Sequence, residues 1–79
     1  MNNKEMYDQI FIESFSIDKS KLGDNLEYNT IPEWDSVGHM GLIAELEEAF
    51  NIEMEMDDII DFSSYKKGFE LIAKYGVEF

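Results

Sequence analysis

The sequence predicts a small all-α bundle, and three observations carry that prediction. Apolar residues recur at helical spacing in three separated segments. No alternating apolar/polar run of useful length points to a strand, and no repeat or low-complexity tract is present. The turn formers Gly23, Asp24, Asn25 and Asn29, with the single proline Pro32, collect between the first two of those segments. The 79 residues are expected to form one domain over 1–79. A chain of this size buries only about 60% of its unfolded surface, so the core must be modest.

The first helix is predicted from about Asn3 to Phe15. Tyr7, Ile10, Phe11 and Phe15 form its apolar stripe, with Met6 beside them. Asn2 and Asn3 are good N-caps, and Glu5 lies three residues after Asn2, as in a capping box. A long connection then runs from Ser16 to Asp35. Loops of that length are usually functional or pinned by their own apolar residues. Leu26, Tyr28 and Ile31 are expected to reach into the core and pin this one.

The second helix should start at Asp35 or Ser36 and end near Phe50, with Leu42, Ile43, Leu46, Ala49 and Phe50 as its buried stripe. Asn51 looks like its end. Gly38 and Gly41 are unexpected inside it, each costing on the order of 1 kcal/mol against alanine. They imply either a close approach by another group or a weak first turn. Ile52-Glu53-Met54 continues in extended form. A short helix is expected around Asp57 to Asp61, with Ile59 and Ile60 facing inward. Ser63 or Ser64 should cap a last helix to about Tyr75, buried through Phe69, Leu71, Ile72 and Tyr75, with Gly76 placed to stop it.

Composition narrows the function. The chain is 44% hydrophobic, too apolar for a disordered tail. It has no cysteine, which excludes a disulfide scaffold, a thiolate metal site and a cysteine nucleophile. No apolar run reaches membrane-span length, and the N-terminal residues do not resemble a signal peptide, so a soluble cytoplasmic protein is expected. Eighteen acidic residues oppose six lysines, for a net charge of −12. Such a surface repels phosphate backbones and anionic membranes and favours a basic protein partner. Between Glu33 and Tyr65 there are ten acidic residues and no lysine or arginine.

The segment Glu33-Trp34-Asp35-Ser36-Val37-Gly38-His39-Met40 stands where the long loop enters the second helix. A serine there lies near unpaired backbone N–H groups and the positive end of the helix dipole, a setting that suits a phosphate ester. On spacing alone, a simple cap is the plainer reading of Asp35 and Ser36.

The Asp35-Ser36-Val37 tripeptide, followed by Leu42-Ile43-Ala44-Glu45-Leu46-Glu47-Glu48-Ala49-Phe50 and Ile52, resembles the acyl carrier protein family. Length, acidity, helix order, long first loop and short third helix agree with that resemblance along the whole chain. It implies a four-helix bundle of acyl-carrier type. It also implies a 4'-phosphopantetheine arm, derived from coenzyme A, on Ser36 through a phosphodiester, holding an acyl or aminoacyl group as a thioester. By the same resemblance Asp35 assists the modification, Val37 presses against partner enzymes, and Glu47 and Glu48 meet their basic patches. Glu33, Glu53 and Asp57 extend that acidic patch. Lysine at positions 47 and 48 should then weaken transfer with little effect on stability.

The partners implied are a phosphopantetheinyl transferase, an acyl- or aminoacyl-loading ligase, and an acyl-using transferase or synthase, all acting on a monomer that is not itself an enzyme. Many fatty-acid carriers have acidic residues where this chain has Gly38 and Gly41. That departure points to a stand-alone carrier in a specialised pathway. A D-alanyl or other aminoacyl carrier is the alternative, and an unmodified acidic adaptor for a basic partner is another.

Other constellations are weaker. His39 lies three residues after Ser36, but a Ser–His dyad lacks an orienting acid, an oxyanion site and a Gly-x-Ser-x-Gly elbow. An exposed residue without a special task is its plainest reading. No catalytic residue and no metal ligand set is predicted; Asp57-Asp58-Ile59-Ile60-Asp61 lacks EF-hand spacing. Met40, Ile43, Ile59 and Ile60 could line a soft cleft for a short acyl chain, although plain core packing is the plainer reading of them.

Overall fold

Asn2 opens the first helix: its side-chain oxygen accepts from the Glu5 N–H at 2.8 Å. The structure, a computed structural model, describes residues 2–79. Helix α1 spans Asn3–Phe15, α2 Ser36–Phe50, α3 Met56–Asp61 and α4 Tyr65–Ala73. Among the described residues there is no strand, only an isolated antiparallel bridge between Glu27 and Ser64. The long loop holds a single 3-10 turn at Lys19–Lys21. Helices α1 and α2 end on Ser16 and Asn51 in the left-handed conformation, at φ 53° and 54°. Ser64 caps α4 by accepting from the Lys67 N–H at 2.9 Å.

The helices meet over an aromatic core. Tyr7, Phe11 and Phe15 of α1 face Leu42, Ile43 and Leu46 of α2, and Phe62, Leu71 and Ile72 close the remaining side. Trp34 is fully buried at the centre, its ring 5.2 Å from Phe15 and 5.5 Å from Phe11 between centroids. Two polar threads cross this core. The Tyr7 hydroxyl donates to the Tyr65 carbonyl at 2.7 Å. The Tyr65 hydroxyl donates to Asp8, whose other oxygen pairs with Lys4 at 2.9 Å. Burial pushes the Tyr7 phenol well above its ordinary value, and burial with the Asp8 hydrogen bond pushes Tyr65 up to about 12. Both phenols therefore stay protonated donors beyond the alkaline pH at which an exposed tyrosine ionises.

Four expectations need correction. Tyr28 is exposed rather than buried, and Ile31 only half-buried, so Leu26 and Trp34 pin the loop. Backbone bonds complete the pinning: Tyr28 N–H to the Ser63 carbonyl at 2.8 Å and Tyr65 N–H to the Leu26 carbonyl at 2.9 Å. Ala49 sits at the edge of the α2 stripe and is exposed. Ile60 is 69% exposed, because a six-residue helix turns only one narrow face inward and Ile59 and Phe62 occupy it. Helix α4 ends at Ala73; Lys74, Tyr75 and Gly76 follow as a tightened turn bonded to Leu71, Ile72 and Ala73. Gly76 ends that turn at φ 92°.

Candidate functional site

The start of α2 is built by Asp35 and Trp34. The Asp35 Oδ1 accepts from the Gly38 N–H at 2.8 Å, and its carbonyl accepts from the His39 N–H at 2.8 Å. Trp34, buried immediately before it, fixes the direction from which the chain enters the helix. Ser36 is therefore the first helical residue and exposed, and Val37 beside it is 80% exposed. Asp35, Ser36 and Val37 form one exposed corner of the molecule.

The two α2 glycines differ in kind. A Cβ at Gly38 would stand 2.0 Å from the Glu33 carbonyl oxygen, so the loop backbone lies where a side chain would be. Gly41 faces open space. Gly41→Ala should therefore stabilise the protein by up to about 1 kcal/mol through helix propensity. Gly38→Ala should destabilise it by about 1–3 kcal/mol through overpacking. Urea unfolding of the two variants checks this opposition. An acidic residue fits position 41 but not position 38.

Beside Ser36 lies a groove of about 320 Å³ between α2 and α3. Tyr28, Met40, Met56, Ile59 and Ile60 form much of its wall, and Ser36 stands at its edge. Met40, Met56 and Ile60 are all more than half exposed. Ile43, grouped with these residues in the sequence, belongs to the core instead.

His39 corrects another expectation. It is half-buried, and its ring bridges three parts of the fold. Nδ1 accepts from the Trp34 indole N–H at 2.9 Å, and Nε2 lies 2.8 Å from the Ile59 carbonyl. Those two contacts require the tautomer with its proton on Nε2. Both ring nitrogens thus have partners other than Ser36, and the dyad arrangement is not formed.

The acidic residues do not act as one set. Glu33, Glu48, Glu53 and Asp57 are exposed. Glu47 is half-buried, and its Oε2 accepts from the Met54 N–H at 2.9 Å, tying the α2–α3 connection to α2. Charge reversal at Glu47 would break that bond, contrary to the small stability effect expected from sequence. Glu48 carries no such constraint from its burial.

Asp58 anchors α3 to the turn after α4. It pairs with Lys74 at 2.6 Å and accepts from the Tyr75 hydroxyl, which itself accepts from the Glu55 N–H at 2.9 Å. The hydrogen bond from Lys74, then that from Tyr75, holds the Asp58 carboxyl below its ordinary 3.8. The folded value is the lower one, so the stabilisation is complete above the ordinary value and disappears as pH falls through the folded value. Asp58→Asn should lower Tm at neutral pH, and the difference should begin to shrink as pH falls past about 4 and vanish only below the lowered folded value. Thermal melts across that range test it; a constant difference would mean that the carboxylate charge is not what holds α3.

Sequence reasoning missed Trp34 and the groove walls Tyr28, Met56 and Ser63. The available signal was a single tryptophan adjoining the Asp-Ser pair, with the single histidine one helical turn into the next element. Among the described residues no group of three His, Asp or Glu side chains is placed to hold a metal ion, and no helix is long and apolar enough to cross a membrane. Comparison with protein-family models, curated proteins and solved structures finds no match.

Proposed function

We propose that the protein is a stand-alone carrier of acyl-carrier type, bearing a 4'-phosphopantetheine arm on Ser36 and presenting a thioester to partner enzymes. The observation that supports this reading best is Ser36 itself. It is an exposed hydroxyl on the first residue of a 15-residue helix, with an apolar groove beginning beside it. The first-turn N–H groups and the helix dipole favour a phosphodiester at that position. Exposure leaves the hydroxyl open to a transferase, and the Asp35 cap holds it in one place.

In the modification, the serine oxygen bonds to the β-phosphorus of coenzyme A. The bond to adenosine 3',5'-bisphosphate breaks, and the serine proton passes to a base of the transferase. When bound, the arm supplies the thiol that carries the acyl group. Val37 and the exposed acids Glu33, Glu48, Glu53 and Asp57 form the surface offered to basic partners. Association of this kind is steered by charge and remains weak enough for exchange between enzymes. The tether keeps the thioester at a high effective concentration at each of them.

Intact mass after incubation with coenzyme A, magnesium and a broad-specificity phosphopantetheinyl transferase tests the reading. One phosphopantetheinyl group is expected on the wild-type chain and none on Ser36→Ala. A folded wild-type chain that gains no mass would favour an unmodified acidic adaptor, for which Ser36→Ala changes nothing.

A further inference from the structure

We propose that Trp34 and His39 form a proton-sensitive staple at the start of α2, and that the neutral His39 ring is a positioning group for reaction at Ser36. Trp34 directly precedes the Asp35 cap, and His39 is the fourth residue of the helix. Apolar side chains in those two places pack together in many helices and fix the angle at which the chain enters. Here the two rings lie nearly parallel, at 17° and 6.2 Å between centroids. A hydrogen bond is added to that contact, from the Trp34 indole N–H to His39 Nδ1 at 2.9 Å. Ser36 lies within the segment that this bond closes. Gly38 and Gly41 add little helix propensity to the same stretch, so the side-chain bond carries more of the holding.

The bond to Trp34 exists only while Nδ1 is bare. A second proton must go to that nitrogen, since Nε2 already donates to the Ile59 carbonyl at 2.8 Å. Two N–H groups then face each other, and the indole donor of the fully buried Trp34 is left without an acceptor. The Ile59 bond survives and gains from the charge. Protonation therefore frees the loop from α2 while leaving α2 tied to α3. From the loop, Tyr28 faces the ring at 5.6 Å between centroids, and Phe62, just after α3, faces it at 6.1 Å. Asp35, one turn earlier on α2, has its Oδ1 on the Gly38 N–H, and Glu33 is exposed. On α3, Asp58 is engaged by Lys74 and Tyr75, whereas Asp57 and Asp61 are exposed.

The staple stands apart from the carrier reading; its effect at Ser36 rests on that reading. The single tryptophan and the single histidine give one indole N–H and one imidazole to follow by NMR. Between about pH 8 and 5 the indole resonance should move in step with the ring signals of His39. Amide exchange at Gly38 and His39, corrected for its intrinsic pH dependence, should accelerate by about 2- to 10-fold relative to Leu46. Amides of α3 should not follow. His39→Gln has no titrating group there, and Trp34→Phe has no indole donor, so neither variant should show the exchange step. With coenzyme A and one transferase, the wild-type rate should fall over this pH range by about 2- to 10-fold more than that of His39→Gln.

An indole resonance that does not move over this range would overturn the staple, and so would an equal exchange step in His39→Gln. Parallel pH profiles of the wild type and His39→Gln in the transferase reaction would overturn the role at Ser36. If His39→Gln does not fold, Trp34→Phe takes its place in both comparisons. If no phosphopantetheinyl group is added at any pH, the carrier reading fails and the role at Ser36 falls with it. The indole titration still decides the staple, so the two readings fail separately.

Discussion

Gly68→Ala is expected to remove about 3–5 kcal/mol, from overpacking and from displacement of a buried hydrogen bond. That is a large part of the roughly 4–12 kcal/mol available to a chain of this size. A Cβ at Gly68 would lie 2.0 Å from the Tyr7 hydroxyl oxygen and 2.3 Å from Phe62 Cζ. Neither group can retreat freely. Both side chains are essentially fully buried, and the Tyr7 hydroxyl is held by the Tyr65 carbonyl at 2.7 Å.

A helix interior ordinarily gains from alanine in place of glycine, so the sign of the effect is diagnostic. The corresponding fall in Tm is at least about 12 °C. Tyr7→Phe in the same protein removes one of the two obstructing groups, so the double variant should lose less than the sum of the single losses. A neutral or stabilising Gly68→Ala would show that α4 does not lie this close to α1.

Trp34→Ala should cost about 3–5 kcal/mol, as large aromatic truncations in a core do. The ring is fully buried among Phe11, Phe15 and Phe62, and its N–H is bonded to His39. Trp34→Phe keeps most of the packing and removes the hydrogen bond, so it should cost about 1–3 kcal/mol. Trp34 also precedes Asp35, and its carbonyl accepts from the Asn29 N–H at 3.0 Å. Its loss should therefore loosen the entry to α2 more than the middle of that helix. Amide exchange at Gly38 and His39 should accelerate more than at Leu46. A loss under about 1 kcal/mol for Trp34→Ala would place the ring outside the core.

Local signals made α1 and α2 legible. Asn2, Asp35 and Asn51 cap the helix ends where their residue types indicate, and the apolar spacing marks the inner faces. The start of α2 was legible to within one residue, since Asp35 and Ser36 are both preferred N-caps, and the structure assigns the cap to Asp35. Ala49 falls at the edge of the α2 stripe, and other errors fall where no period exists. Trp34 and Tyr28 lie in the loop, and nothing in their spacing distinguishes the buried ring from the exposed one. Helix α3 is too short for its period to separate Ile59 from Ile60.

The remaining differences depend on contacts between distant segments. Gly38 and Gly41 look alike until the Glu33 carbonyl is placed against one of them. Glu47 and Glu48 look alike until Met54 is bonded to one of them. Asp58 reads as one of a run of surface acids until the turn after α4 brings Lys74 and Tyr75 to it.

The backbone bridge between the long loop and the α3–α4 junction has a kinetic consequence. Helices α1 and α2 can dock once one loop has closed. The bonds joining Leu26 and Tyr28 to Tyr65 and Ser63 need the far end of the chain as well, and such closures come late in folding. Substitutions at this junction should chiefly accelerate unfolding, leaving the refolding rate nearly unchanged, whereas substitutions in the α1–α2 contact should slow refolding. The loop that delivers Ser36 would then be the last part to settle during synthesis and the first to loosen under load. A partner that recognises this corner would select chains whose folding is complete.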